Sequence, residues 1–365
     1  MVRFSQIGTF RIVKLTSINK RFIYDASPFG LKEYDNFRLN AVRKATPGLF
    51  ETIKTRLENS IRDKDKEVDL QDLNMFLLLS KNSEDLDLLL ESFKKYKNSI
   101  LLDKDEKFGE KFVKLCYLLN NSDKMTEAFN DDEIKDSLMS QLTSFLIINK
   151  LIIDKKYDEA VKIFEHYLET VNNQPKNKIQ YLQKTKLKKQ TQIIPFGHLR
   201  LVFEALMLKN TKDSFLKMKE LISKVEPLKC KLNNTAIACC FLLSLKQNEP
   251  RYAYELALSI EKFNVTLQNN LKAIALGKLN KPDEAFFFIE TILNLKKLES
   301  RNDFEGKFFP DTLESLRDSI SKMDPKDSIK KDKFDLILKE VERRLFRNDL
   351  FGYCTNVNVI TDKKK

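Results

Sequence analysis

The sequence predicts an all-α protein built as a solenoid of helix-turn-helix repeats, and three observations support this fold class. Apolar residues recur at helical spacing from about Thr46 onward. Glycine occurs 8 times and proline 9 times in 365 residues, which is few for a protein with many tight turns. A short motif that places a small residue early in a helix recurs along the chain, as repeat architectures require.

The positive charge of the chain is confined to two stretches that contain no acidic residue. The formal net charge is +12, to which residues 1–24 contribute five basic side chains and residues 171–203 contribute seven. The rest of the chain is therefore neutral on balance. No apolar run approaches the roughly 20 residues that a membrane-spanning helix needs, so we expect no membrane span.

Residues 1–24 mix basic, hydroxylated and apolar residues, and the first acidic residue of the chain is Asp25. This composition is typical of a mitochondrial transit peptide. We therefore expect residues 1–30 to be a transit peptide that is cleaved between Lys20 and Gly30. An ordinary basic N-terminal arm is the alternative interpretation of the same residues.

An N-terminal helical segment is expected over residues 31–70. Thr46 can cap a helix there, with Pro47 at its first position, where the missing backbone N–H costs nothing. Four apolar residues then fall on one face of that helix, namely Phe50, Ile53, Leu57 and Ile61.

The clearest helix pair is predicted over Thr143–Leu168. Its turn is expected at residues 154–156, and its second helix is expected to begin at Tyr157. Ala160 lies early in that second helix, where a small side chain lets the first helix pack closely. Asp158 and Glu159 suit the positive end of the helix dipole.

The spacing of the small residues indicates the repeat. The interval is 32 residues from Ala128 to Ala160 and again from Ala253 to Ala285, but it is 54 from Ala160 to Ser214. Intervals in the thirties are typical of helix-pair solenoids, in which each unit buries its face by stacking on its neighbours. The long interval equals one repeat plus an insertion of about twenty residues.

Three further boundaries follow from this spacing. Residues 71–298 are expected to hold the repeats, and residues 171–192 form the lysine-rich insertion between two of them. Residues 299–365 are expected to form a C-terminal cap and tail, with helices near 311–321 and 331–346.

Several segments resemble pentatricopeptide repeat proteins. Residues 143–148 and 155–164 resemble one such repeat, and residues 107–117 and 243–249 resemble mitochondrial members of the family from animals. The resemblance extends over about residues 36–298. It implies an α-superhelix in the mitochondrial matrix that binds RNA and assists the maturation of a mitochondrial messenger RNA. The related pentatricopeptide-like protein of the small mitoribosomal subunit is the alternative resemblance.

The first helices depart from the family pattern in one respect. Pentatricopeptide proteins read one base per repeat through polar side chains of the repeat. The corresponding positions hold Leu146, Arg200 and Ala238, of which Arg200 alone could contact RNA, through a phosphate. We therefore expect recognition of RNA shape and backbone rather than modular base reading.

Catalytic chemistry, cofactors and metals are not expected. His166 is interpreted as a surface or groove residue and His198 as a structural residue, because neither has a nucleophile near it in sequence. The acidic clusters at residues 103–106 and 131–133 are interpreted as caps and turns. Cys239 and Cys240 are interpreted as small buried residues of an apolar helix. The odd total of five cysteines argues against a disulfide framework.

The insertion supplies the predicted RNA contacts. Lysines that neutralise phosphates release counterions, and an aromatic ring can stack on a base. The candidate residues are Lys176, Lys178, Tyr181, Lys184, Lys186, Lys188, Lys189 and Arg200. A solvated loop whose lysines keep the protein soluble is the alternative interpretation.

The sequence thus predicts a non-catalytic mitochondrial RNA-binding protein that acts in RNA processing, maturation or stability. Its expected partners are mitochondrial messenger or ribosomal RNA, together with the mitoribosome or an RNA-processing nuclease. Two alternatives stay open, namely a structural protein of the small mitoribosomal subunit and a solenoid adaptor that binds other proteins.

Overall fold

The computed structural model describes residues 30–98, 107–173, 194–228, 230–260, 265–295 and 306–355. Seventeen α-helices and no strand occur within these residues, which confirms the predicted all-α repeat solenoid. The helices are α1 Leu31–Lys44, α2 Leu49–Arg62, α3 Leu70–Leu79, α4 Ser83–Lys97, α5 Phe108–Leu118, α6 Ser122–Asn130, α7 Gln141–Ile153, α8 Tyr157–Asn172, α9 Phe196–Lys209, α10 Lys212–Val225, α11 Asn234–Lys246, α12 Pro250–Leu258, α13 Val265–Lys278, α14 Pro282–Leu295, α15 Pro310–Ser321, α16 Ser328–Glu342 and α17 Leu350–Thr355. Residues 1–29 of the predicted transit peptide lie outside the described residues.

The start of helix α2 corrects one prediction. Pro47 is not the first helical residue, because the backbone of Gly48 is left-handed, with φ of 78°, and the helix begins only at Leu49. A left-handed residue cannot continue the helix, and glycine adopts this conformation without a steric penalty. The predicted apolar face is nevertheless present, since Ile53 and Leu57 are buried.

The predicted pair over Thr143–Leu168 is confirmed as α7 and α8. Helix α7 ends at Ile153, helix α8 begins at Tyr157, and residues 154–156 make the turn. Ser140 caps α7 by accepting a hydrogen bond from the Thr143 backbone N–H at 3.1 Å.

The small residues that defined the repeat are buried in the second helices. Ala160, Ala253 and Ala285 are each 0% exposed, Ala128 is 1% exposed, and Ser214 is 2% exposed. Because helix backbones can approach each other only where the side chains between them are small, each of these positions fixes how its helix packs within the repeat.

The first helices stack on one another along the chain. Helix α5 packs on α3 and on α7, helix α9 packs on α7 and on α11, and helix α15 packs on α13. Gly277 of α13 shows how close one such approach is, since a Cβ built there would lie 2.9 Å from the Ser315 carbonyl oxygen of α15. Consecutive repeats are therefore joined through their first helices at these places, and also where a second helix packs on the next first helix, as α8 does on α9 and α12 does on α13.

The C-terminal region adds two helices close to the predicted positions, followed by a third that returns to the body of the solenoid. Helix α15 covers the predicted segment near 311–321, whereas helix α16 begins three residues before the predicted segment 331–346 and ends at Glu342, four residues before its predicted end. Helix α17 then packs against α11, more than one hundred residues earlier in the chain. The backbone also pairs Phe308 with the end of α16, where the Phe308 N–H donates to the Arg344 carbonyl at 2.9 Å.

Candidate nucleic-acid interface

The lysine-rich insertion connects helices α8 and α9. Seven of its predicted RNA-contacting residues lie outside the described part of the chain, namely Lys176, Lys178, Tyr181, Lys184, Lys186, Lys188 and Lys189. The described residues on either side of 174–193 belong to the core, because Val171 at the end of α8 is buried and Ile194 is 0% exposed. Pro195 then precedes the first residue of α9. The insertion therefore leaves and rejoins the core between two consecutive repeats.

The structure corrects the eighth predicted contact, Arg200. Its side chain is 4% exposed, its Nη2 donates to the Cys354 carbonyl of helix α17 at 3.1 Å, and its Nε lies 3.8 Å from Glu204 Oε2. A guanidinium that is enclosed in this way does not face a phosphate at the surface. Arg200 instead links helix α9 to the C-terminal helix.

Glu204 shares this buried environment with Arg200. Its side chain is 0% exposed, and burial raises the pKa of the carboxyl to about 8, although the nearby Arg200 charge acts in the opposite direction. The carboxyl therefore keeps its proton over much of the neutral range. In its protonated form Glu204 is neutral, so the buried Arg200 guanidinium is not joined by a carboxylate charge, which would be costly to bury.

The other two first-helix positions that correspond to base-reading residues of pentatricopeptide proteins are also buried. Leu146 of α7 and Ala238 of α11 are each 0% exposed. Helices α7, α9, α11 and α13 each bury ten residues, around the whole helix rather than along one stripe. Neither Leu146 nor Ala238 offers a hydrogen-bonding group that could read a base.

Polar side chains of the first helices bond to neighbouring repeats. Tyr117 of α5 donates its hydroxyl to Asn149 Oδ1 of α7 at 2.9 Å. Asn270 of α13 accepts from the Thr312 hydroxyl at 2.8 Å and from the Phe309 backbone N–H at 3.2 Å, both at the start of α15. These groups are therefore used in joining repeats and not in contacting a ligand.

His198 is a core residue, in agreement with the sequence interpretation. It is 1% exposed, its ring stacks on Tyr167 at 4.9 Å between centroids, and its Nε2 lies 3.0 Å from Ser144 Oγ. Burial lowers its pKa to about 4, which keeps the ring neutral at physiological pH. Since the pair is enclosed by α7, α8 and α9, no substrate can approach Ser144 as it would a catalytic serine.

His166 differs from His198 in its exposure. It is partly exposed on α8, with Nδ1 3.7 Å from Glu169 Oε2 and its ring edge-on to Phe129 at 5.3 Å. This position agrees with the prediction of a surface or groove histidine.

The described cysteines and the acidic cluster at 131–133 have positions that agree with their structural interpretations. Burial raises the pKa of Cys240 well above its usual value, so its thiol is not a reactive thiolate. Asp131 pairs with Lys94, and Asp132 pairs with Lys135. Within the described residues no group of acidic, cysteine or histidine side chains has the arrangement of a metal site. The acidic cluster at 103–106 lies outside the described ranges.

Charges on the outer surface are paired between consecutive repeats. Lys217 and Lys224 of α10 both contact Glu165 of α8, at 2.7 and 3.1 Å. Similar contacts are Lys124–Asp87, Lys209–Asp158, Lys278–Asp318, Lys330–Asp283 and Lys333–Glu290. Acidic and basic side chains therefore offset one another on the outer surface of these helices.

The comparisons with known proteins agree with the repeat structure. No family model matches the chain, and no solved structure matches it. Pentatricopeptide repeat-containing protein 2, mitochondrial, of Mus musculus is 22% identical over 306 residues, which are 82% of this chain and 74% of the mouse protein. The chain resembles this pentatricopeptide repeat protein. The expected resemblance to a mitochondrial pentatricopeptide repeat protein is thereby confirmed.

A second structural signature of the repeat was missed in the sequence. Within five helix pairs, the turn contains a residue with positive φ, and four of the five are asparagines: Asn120, Asn210, Asn248 and Asn280, with Lys155 as the fifth. Asparagine tolerates the left-handed conformation better than most residues. Together with the small residues, these asparagines would have placed four of the five turns, whereas the turn between α7 and α8 has Lys155 instead.

In the part of the chain that the structure describes, no helix is both long and apolar enough to cross a membrane.

Proposed function

We propose that this protein binds RNA in the mitochondrial matrix without catalysing a reaction, and that it acts in the processing, maturation or stability of mitochondrial messenger RNA. The observation that carries the proposal is the similarity to a mitochondrial pentatricopeptide repeat protein over 82% of the chain. The helix pairs of the structure support it, because pentatricopeptide-like repeats are a known scaffold for RNA recognition.

The charge distribution indicates how RNA is bound. Ion pairs such as Lys217–Glu165 balance charge on the body of the solenoid, whereas residues 171–192 contain six lysines and no acid. We propose that these lysines contact phosphates and that Tyr181 stacks on a base. Binding of single-stranded RNA by six lysines gives a slope of about −4 for log affinity against log salt concentration.

The first helices indicate that this binding does not follow a base code. Leu146 and Ala238 stand at reading positions and are buried, and Asn149 and Asn270 bond to neighbouring repeats. Affinity for RNA backbone without modular base reading is therefore the mode that the residues support. Specificity for a transcript would then come from RNA shape or from a partner such as a processing nuclease.

Cross-linking in mitochondria tests the proposal. The protein is cross-linked to RNA in the intact organelle and purified, and the attached RNA is sequenced. Discrete messenger RNA segments are the expected result. Ribosomal RNA of the small subunit, together with stoichiometric co-sedimentation with that subunit, would instead support the structural mitoribosomal protein. Recovery of no RNA above a mock purification would favour the adaptor.

A further inference from the structure

Helices α14 and α16 lie side by side and leave three large apolar side chains on the surface. The helices are joined through Phe286 and Phe334, whose rings stack with their centroids 3.8 Å apart. Phe287, the next residue of α14, is 63% exposed, and on α16 Ile329 is 84% exposed and Leu336 is 66% exposed. Single exposed apolar residues are common on protein surfaces, but several around one helix pair form a patch of the kind that marks an interaction site.

Two ion pairs cross the boundary between these helices. Lys330 Nζ lies 3.4 Å from Asp283 Oδ2, and Lys333 Nζ lies 3.0 Å from Glu290 Oε1. Phe287 follows Asp283 by four residues and precedes Glu290 by three, so it shares one face of α14 with both acids. The patch therefore has an acidic side on α14, with an exposed aromatic ring between the acids, and a basic side on α16.

The two exposed apolar residues of α16 are separated by a gap. Ile329 and Leu336 are seven residues apart, which is two helical turns or about 10 Å, so they lie on the same face of the helix. Because the ion pairs and the stacked rings hold the two helices side by side, Phe287 of α14 lies level with this gap. One side of the patch thus carries an apolar knob, and the other carries a hole of matching height.

We propose that this patch joins two copies of the chain in a two-fold dimer, in which Phe287 of each copy inserts between Ile329 and Leu336 of the other. A two-fold axis that lies in the interface and runs along the helices places α14 of each copy over α16 of its partner. This rotation keeps every residue at its own height along the helices, so each knob meets a hole. The contact is closed, since both copies use the same surface. The dimer does not depend on the proposed RNA-binding function.

The charges favour a second copy as the occupant and decide which helices meet. Helix α14 contains three acids and no basic residue, so a contact of α14 with itself would bring Asp283 and Glu290 against like charges. With α14 over α16, these carboxylates meet Lys330 and Lys333 of the partner. The two lysine side chains are 54% and 66% exposed, and an ammonium has three donors, so each can serve a second carboxylate. The patch is therefore complementary to itself in charge and in the placement of its apolar residues.

Sedimentation equilibrium of the full chain tests the dimer. We expect the unchanged protein to approach twice the 42.8 kDa mass of one chain as its concentration rises through the micromolar range. Phe287→Asp and Leu336→Asp each place a charge in the apolar contact and should raise the dissociation constant by about tenfold or more.

The matched control is Leu216→Asp, because Leu216 is 55% exposed on α10, outside the patch. It should dimerise like the unchanged protein, and circular dichroism verifies that each variant is folded. A monomer at every concentration, or the same dissociation constant for Phe287→Asp and the control, overturns the proposal.

Disulfide cross-linking tests the arrangement of the helices in the dimer. Protein with Phe287→Cys is mixed with protein that carries Ile329→Cys and oxidised with copper phenanthroline; the five native cysteines are buried. The mixture should yield disulfide-linked dimers, since each mixed dimer brings the two new thiols together and keeps one unaltered Phe287 contact. Phe287→Cys alone should yield few, because its two copies lie on opposite sides of the axis. A mixture that cross-links no better than either variant alone overturns the proposed contact of α14 with α16.

Discussion

The first and second helices of the repeats use their polar residues in different ways. First helices bury polar side chains in hydrogen bonds to the next repeat, as Asn270 does with Thr312. Most of the surface ion pairs between repeats instead join second helices, as Lys217 does with Glu165. The first arrangement fixes the stacking of repeats, and the second balances charge on the outside. The body of the solenoid therefore offers RNA little net charge, and the acid-free insertion is the segment that we propose to attract it.

Removal of a buried bond between first helices should have the largest effect on stability. Asn270→Ala leaves the Phe309 backbone N–H, the Thr312 hydroxyl and the Lys307 carbonyl without the bonds that they make with Asn270. We expect a loss of about 2–4 kcal/mol in the free energy of unfolding, measured by urea denaturation. Asn59→Ala, on the exposed surface of α2, is the control. A loss for Asn270→Ala as small as that of the control would contradict the importance of these bonds.

Overpacking between the two helices of one repeat should have the next largest effect. Ala160→Leu adds three carbon atoms at a position that is 0% exposed, and we expect it to destabilise the protein by about 1–3 kcal/mol in the same assay. Lys162→Leu, an exposed position two residues later, should change stability little. Equal stabilities of the two variants would show that the close approach at Ala160 is not required.

Protonation of Glu204 should make stability depend on pH. The folded carboxyl has a pKa of about 8, against 4.5 for the ordinary side chain, so that folding takes up a proton between those values and stability falls as pH rises. The lowered pKa of His198 acts in the opposite direction, but only below its usual value of 6.5. From pH 6.5 to 8 the loss should reach up to about 1.4 kcal/mol per pH unit.

Glu204→Gln removes the group responsible for this slope. Urea denaturation at pH 6.5, 7.2 and 8.0 should therefore show a smaller decline in the variant than in the unchanged protein. A decline that is identical in both proteins would place the titrating group elsewhere.

A surface ion pair between second helices should matter least. Glu165→Gln removes the carboxylate that Lys217 and Lys224 share, and we expect a loss below about 1 kcal/mol, because exposed pairs are screened by solvent. Thermal unfolding at low and high salt measures it. A loss as large as that of Asn270→Ala would contradict the expectation that buried hydrogen bonds of the first helices stabilise the fold more than surface ion pairs do.

The sequence predicted the fold better than it predicted the site. Helical periodicity and the small residues led to the α7–α8 pair, because both are local signals. Helix α2 was placed two residues early, since Gly48 and not Pro47 decides where it begins. The role of Arg200 depends on Cys354, which lies 154 residues away, and no local pattern reports such a contact.

The central claim is that the lysine-rich insertion, and not the body of the solenoid, supplies the affinity for RNA. The most direct test compares the simultaneous change of Lys184, Lys186, Lys188 and Lys189 to Gln with the same change at four exposed lysines of the body. Those control positions are Lys64, Lys81, Lys162 and Lys212. The slope of log affinity against log salt concentration should fall in magnitude by about 3 in the insertion variant and stay unchanged in the control. Equal losses in the two variants, or an unchanged slope in the insertion variant, would contradict the claim.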